Sequence, residues 1–171
     1  MDTYLKTGLW QQFGAAIDGL AQLTATCPDS LWHTPMWDDP AVNPEFKQVW
    51  YRIYHTLFWL DLYLTGTEDG FHPPAPFTLI EQIDDSPMPE RPYTQAELLG
   101  YLRDCRQRTY DTIHALTDDA AQRQCEFSWG TASFFELLIY NLRHVQNHAA
   151  ELSVFLGQHL GPQPDYPTQA H

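Results

Sequence analysis

Basic residues are scarce in this chain: 9 Lys and Arg stand against 22 Asp and Glu, a formal net charge of -13 at pH 7. A field of that sign repels phosphate backbones, and no basic cluster offsets it locally. Nucleic acid and anionic membrane surfaces are therefore not expected as partners. Cysteine is also sparse. Cys27, Cys105 and Cys125 are widely spaced and no CxxC occurs, so neither a zinc ribbon nor a disulfide framework fits. Long apolar runs are missing. The strongest, LFWL at 57–60, stops at Asp61, far short of the ~20 residues a bilayer requires. The opening MDTYLKTGLWQQFG has no basic start leading into an apolar stretch, so no signal peptide is read and a cytoplasmic protein is expected. Strand signals, glycine-rich phosphate loops and a G-x-S-x-G elbow are absent as well.

Helix signals are plentiful. Asn43-Pro44 offers a capping side chain followed by proline at a first helical position. Thr94-Gln-Ala-Glu97 and Ser133-Phe-Phe-Glu136 are capping boxes. The helices they open are expected to run to about Leu64, Leu116 and Leu156, with Gly66 and Gly157 as left-handed caps after the first and last. A further helix from Thr3 to Thr26, ended by Cys27-Pro28, is weakened by Gly8, Gly14 and Gly19. Four such helices predict an all-α, four-helix-bundle fold in one domain over 1–171. The proline-rich connection 66–93 is too long for a turn and can carry the chain along the bundle, leaving the second and third helices parallel. Residues 161–171 read as an extended tail with little to pack.

The last helix carries NLRHVQNHAAEL at 141–152. Leu138, Leu142, Val145, Ala149, Leu152 and Leu156 form its core stripe. His144 and His148 lie beside that stripe, one turn apart, near Leu137 and Phe155. That i,i+4 spacing stacks two imidazoles as a shared metal ion requires, although in a chain with 8 histidines the spacing alone specifies little. His55, midway along the second helix, points with Tyr51, Phe58, Trp59 and Leu62, opposite the stripe Phe46, Trp50, Ile53, Leu57, Leu60 and Leu64. The pattern leaves open whether that second face meets the bundle or another subunit. Val145 occupies the place of the glutamate in HExxH, and no Glu-x-x-His occurs, so zincin and di-iron chemistries are excluded. Asp61 reads as solvated, and Trp10, Trp50, Trp59 and Trp129 as core.

The histidine within an aromatic run, the long crossing and ELLIYNLRHVQNHAAEL together resemble the DinB/YfiT-like superfamily over nearly the whole chain. The resemblance implies a bundle of non-sequential helix order with a divalent metal, nickel or zinc most often, on three histidines. By position these are His55, His144 and His148. It further implies an open site acting on a small molecule, in some relatives thiol-dependent S-transfer with bacillithiol, mycothiol or glutathione. Ala149-Ala150-Glu151 departs from the polar or basic sequence that often follows the last histidine, which separates this chain from any borrowed substrate specificity. Hydrolase chemistry is the other enzymatic reading. A non-catalytic bundle for sensing or storage, or a structural homodimer through the aromatic face of the second helix, is the alternative. Tyr51, Tyr54, Tyr140 and Glu151 are the nearest groups for proton transfer. Glu151 is expected outside the ligand set, and Phe71, His72 and Phe77 are expected over the mouth of the site.

Overall fold

A computed structural model describes residues 2–81 and 88–170. The middle of the 66–93 connection and His171 lie outside the described residues. The elements are α1 (Thr3–Thr26), α2 (Asp29–Trp32), a 3-10 turn (Pro44–Lys47), α3 (Val49–Thr65), α4 (Gln95–Ala115) and α5 (Asp118–Gln122). A hairpin of β1 (Gln124–Phe127) and β2 (Gly130–Ser133) then leads into α6 (Phe134–Leu160). The chain is thus mostly helical, with one small antiparallel sheet pairing Gln124 with Ser133 and Phe127 with Gly130.

Both capping boxes form. Thr94 and Ser133 accept from the backbone N–H of Glu97 and Glu136, whose carboxylates return the bond to the capping N–H. Gly66, at φ 77°, closes α3 in the left-handed region. Two expected boundaries move. Asn43 does cap Glu45, but residues 44–47 form only a 3-10 turn, and the backbone is extended at Gln48 before α3 begins. Backbone bonds from Met36 N–H to Lys47 (2.8 Å) and from Val49 N–H to Thr34 (3.3 Å) hold that break open. At the other end, α6 passes through Gly157 to Leu160, and Gly161 terminates it at φ 87°. Buried Phe155 and Leu156, with the His159 ring 4.4 Å from Phe155, extend the last turn.

Two of the glycines of α1, Gly14 and Gly19, have a packing reason, while Gly8 faces open space. A Cβ on Gly14 would lie 2.5 Å from the Ala170 Cβ, and one on Gly19 would touch Pro167 at 3.5 Å. The tail runs in this groove, with Ala170 N–H bonded to the Gln11 carbonyl (3.0 Å) and Gln12 Nε2 to Thr168 (3.2 Å). It is extended as expected, but it packs rather than hanging free.

Helix α1 packs on α4 and α6, and α3 packs on the same two. Lys6 reaches the His114 carbonyl (2.9 Å), Asp18 pairs with Arg106 (2.6 Å) and Gln95 reaches Thr24 (2.8 Å), so α1 and α4 are antiparallel. Asn141 bonds Leu60 (2.9 Å) while Arg52 faces Glu151 (3.6 Å), so α3 and α6 are also antiparallel. Trp50 and Tyr54 meet Tyr93 ahead of α4, whereas Asp61 meets Tyr101 and Arg108 further along it. The two helices therefore run in the same direction. Phe13, Ile17, Leu57, Phe58, Leu98, Leu138, Val145 and Leu152 fill the centre.

Three readings of single residues are corrected by this packing. Asp61 is not solvated: it is 2% exposed, accepting from Tyr101 Oη (2.8 Å) and paired with Arg108 (2.9 Å). Phe71 and Phe77 do not cover a site mouth. Phe71 packs on Phe58, and Phe77 stacks on Tyr54 and Tyr101, leaving only His72 exposed. Trp129, at the hairpin turn, is exposed rather than core; it stacks between Phe127 and Tyr140.

Candidate metal centre

The antiparallel contact of α3 and α6 sets His55 opposite two successive turns bearing His144 and His148. The ring centroids are 5.4 Å (His55–His144), 5.0 Å (His55–His148) and 4.6 Å (His144–His148) apart. One ligand-capable atom from each of the three lies within 4.8 Å of the others. The question of which way His55 faces is answered by this contact: its face of α3 packs against α6 within the chain, and Tyr51, Phe58 and Leu62 on that side are buried.

The carboxylates beside two of the rings assign their tautomers. His55 Nδ1 lies 2.6 Å from Glu81 Oε2, and His148 Nδ1 lies 2.8 Å from Glu151 Oε2. A ring nitrogen facing a carboxylate carries the proton and donates, which leaves Nε2 with its lone pair. His55 Nε2 and His144 Nε2 are 3.4 Å apart. Ligands held tetrahedrally at about 2.0–2.1 Å, the zinc–imidazole distance, stand roughly 3.3 Å from each other. The His55–His144 pair stands at that spacing and all three donors lie within 4.8 Å, so the set is compatible with a transition-metal ion. His144 differs from its partners: its Nδ1 is buried and has no hydrogen-bond partner among the described residues.

The His144 and His148 rings are shifted toward the neutral form, the form that binds metal. Burial is the main force pushing His144 down to about 2, helped by the charges of His148, His55 and Arg52. Burial also lowers His148, against the opposing hydrogen bond to Glu151. Burial works against ionisation of Glu81, but the hydrogen bonds from His55 and Trp59 outweigh it and hold the carboxyl below its ordinary range.

Glu81 was not legible as a functional residue. It sits among several acids in the proline-rich connection, with no periodicity to give its direction. In the structure it anchors His55 and also accepts from Trp59 Nε1 at 2.9 Å. Arg52, one turn before His55, was also missed. Its guanidinium lies over Trp37 at 4.5 Å. Among the expected proton-transfer groups, Glu151 backs His148, and the Tyr51 hydroxyl is kept protonated first by burial and then by the Glu81 charge. Tyr54 donates instead to the Thr78 carbonyl, and Tyr140 stacks on Trp129 at 4.9 Å. Hollows open to solvent flank the trio. One of about 280 Å³ includes His55, Arg52 and Glu81, and another of about 500 Å³ includes His144, Arg143 and Asn147.

Helices paired in this way bring together three facing imidazoles, two of them backed by carboxylates, an arrangement compatible with a metal-binding helical protein. The family comparison gives the class a name: the DinB superfamily model matches residues 12–152, a span holding all three histidines, and the chain belongs to that superfamily. No curated protein and no solved structure matches it. Among the described residues, no helix is long and apolar enough to cross a membrane.

Proposed function

We propose that this chain is a metal-dependent enzyme acting on a small molecule at an open site formed by His55, His144 and His148, as a thiol-dependent S-transferase or a hydrolase. The observation that carries the reading is the convergence of three imidazoles, two of them oriented by carboxylates, beside hollows open to solvent. The pairwise helix contacts support a four-helix bundle with α1 diagonal to α3, the non-sequential order of the superfamily. A bound zinc or nickel ion would supply Lewis acidity toward water or a thiol. The chain's own residues do the rest. Glu81 and Glu151 fix the ring orientations and keep the Nδ1 protons in place. Tyr51, its hydroxyl kept protonated first by burial and then by the Glu81 charge, is a hydrogen-bond donor rather than a base. Three ligands leave coordination positions free for substrate.

The test is a spectroscopic titration of cobalt- or nickel-substituted protein with bacillithiol, mycothiol and glutathione. A saturable thiolate-to-metal charge-transfer band supports S-transfer. A spectrum that moves with none of them, together with no hydrolysis of ester or amide substrates, would replace the enzyme by a storage or sensing protein.

A further inference from the structure

Arg52 is the one cation beside the trio whose geometry is fixed yet whose hydrogen bonding is incomplete among the described residues. Its Nε is buried and makes no hydrogen bond. The neighbouring Glu151 Oε2 stands 3.6 Å away, beyond the roughly 2.7–2.9 Å of a charge-assisted bond. That carboxylate is already used by His148 and by Asn147 Nδ2 at 3.0 Å. Stacking on Trp37 keeps the guanidinium from swinging away to water. The enclosed Nε stays turned to Glu151, and the edge left for a carboxylate is that of the terminal nitrogens, which make no hydrogen bond among the described residues. Arg52 also forms part of the wall of the 280 Å³ hollow that contains His55. The rest of that wall is largely apolar: Trp37, Val42, Phe46 and Ile80. Its volume is near the lower end for ligand pockets, about 300 Å³, which limits the occupant to a small molecule.

Local charge favours an anion here despite the acidic chain. Glu81 and Glu151 are each spent on a histidine N–H, and with a divalent ion on the trio the positive charges in the hollow outnumber the negative ones. We infer that this hollow binds a small organic carboxylate, its carboxylate on Arg52 and its short apolar body against Trp37, Val42, Phe46 and Ile80. The inference deepens the small-molecule reading above and rests on it for placing the bound molecule beside a metal. The Arg52 contact itself needs no metal.

Calorimetric titration with hexanoate and with its neutral counterpart hexanamide, on zinc-loaded and on chelator-stripped protein, tests it. Hexanoate is expected to bind both forms, more weakly once zinc is stripped because Glu81 and Glu151 then outnumber Arg52. Hexanamide is expected to bind about tenfold or more weakly than hexanoate to the zinc-loaded form. Arg52→Met should weaken hexanoate by a similar factor while retaining zinc and helical content. Glu151→Gln, which removes the competing carboxylate charge, should tighten hexanoate, a change of sign that a damaged fold would not produce. Equal binding of hexanoate and hexanamide, or Arg52→Met binding hexanoate as the parent does, overturns the inference. So does hexanoate binding seen only with zinc and independent of Arg52. Arg52-dependent binding in protein that takes up no zinc would instead retain this pocket and refute the metal centre alone.

Discussion

Removing the carboxylate charge of Glu81 should weaken metal binding without unfolding the chain. Glu81 is 9% exposed at its side chain and receives two donors: His55 Nδ1 at 2.6 Å and Trp59 Nε1 at 2.9 Å. Glu81→Gln keeps an acceptor oxygen for His55 and Trp59 but loses the charge that raises the basicity of the ring. Substitutions of such supporting groups lower metal affinity about 10- to 100-fold, and the amide variant should fall near the lower figure. Glu81→Ala removes the acceptor altogether and frees the His55 ring to turn, so its loss should approach the upper figure. It also leaves buried donors unpaired, at about 1–3 kcal/mol each, which lowers the metal-free melting temperature as well. Zinc competition against a chromophoric chelator gives the affinities, and thermal unfolding of stripped protein gives the stability. The same pair of substitutions at Glu151, whose side chain is 44% exposed, should have smaller effects because water replaces the lost acceptor. Zinc affinity unchanged in both Glu81 variants would refute the assignment of Glu81 as the group that positions His55.

Gly14→Ala should dislodge the tail, since the new methyl would meet Ala170 at 2.5 Å; limited proteolysis should then cut within 161–170 faster than in the parent, and equal protection would count against the groove. Asp61→Ala should destabilise by about 1–3 kcal/mol, because Tyr101 Oη is left buried without its acceptor while Arg108, 44% exposed, turns to water; urea denaturation with no shift of midpoint would contradict this. Glu97 is held down to about 2, first by its hydrogen bond from Arg91 and then by the Thr94 N–H. A depressed carboxylate contributes stability above its unfolded value near 4.5, lost as pH falls toward 2. The stability gap between parent and Glu97→Gln should therefore close over that acid window, and a gap constant from pH 7 to pH 2 would refute it.

What the sequence displays well is whatever local chemistry decides. Helix α1, the two capping boxes and the Gly66 cap depend on neighbours within four residues, and each appears where the side chains place it. The pair His144 and His148 was visible because one helix face carries both. Features fixed by distant partners were not visible. The break at Gln48 depends on residues 34–36, and the burial of Asp61 depends on Tyr101 and Arg108, some forty residues away. Strands β1 and β2, four residues each, are too short to show a period, so an all-α expectation missed the hairpin. Glu81 and Arg52 act through contacts between a connection, a helix and an aromatic ring, which no periodicity records. His55 was legible only as one of two faces, and it took the packing of α3 on α6 to choose between them.

The most direct test of the account is the metal content of protein purified without chelator, measured by elemental analysis for the parent and for His55→Ala, His144→Ala and His148→Ala, with circular dichroism on each. The account predicts about one divalent transition metal per chain in the parent and a large loss in every variant at nearly unchanged helical content. A parent chain that holds no metal and shows no thermal shift with added zinc or nickel would contradict it, as would a His55→Ala variant that retains full metal affinity.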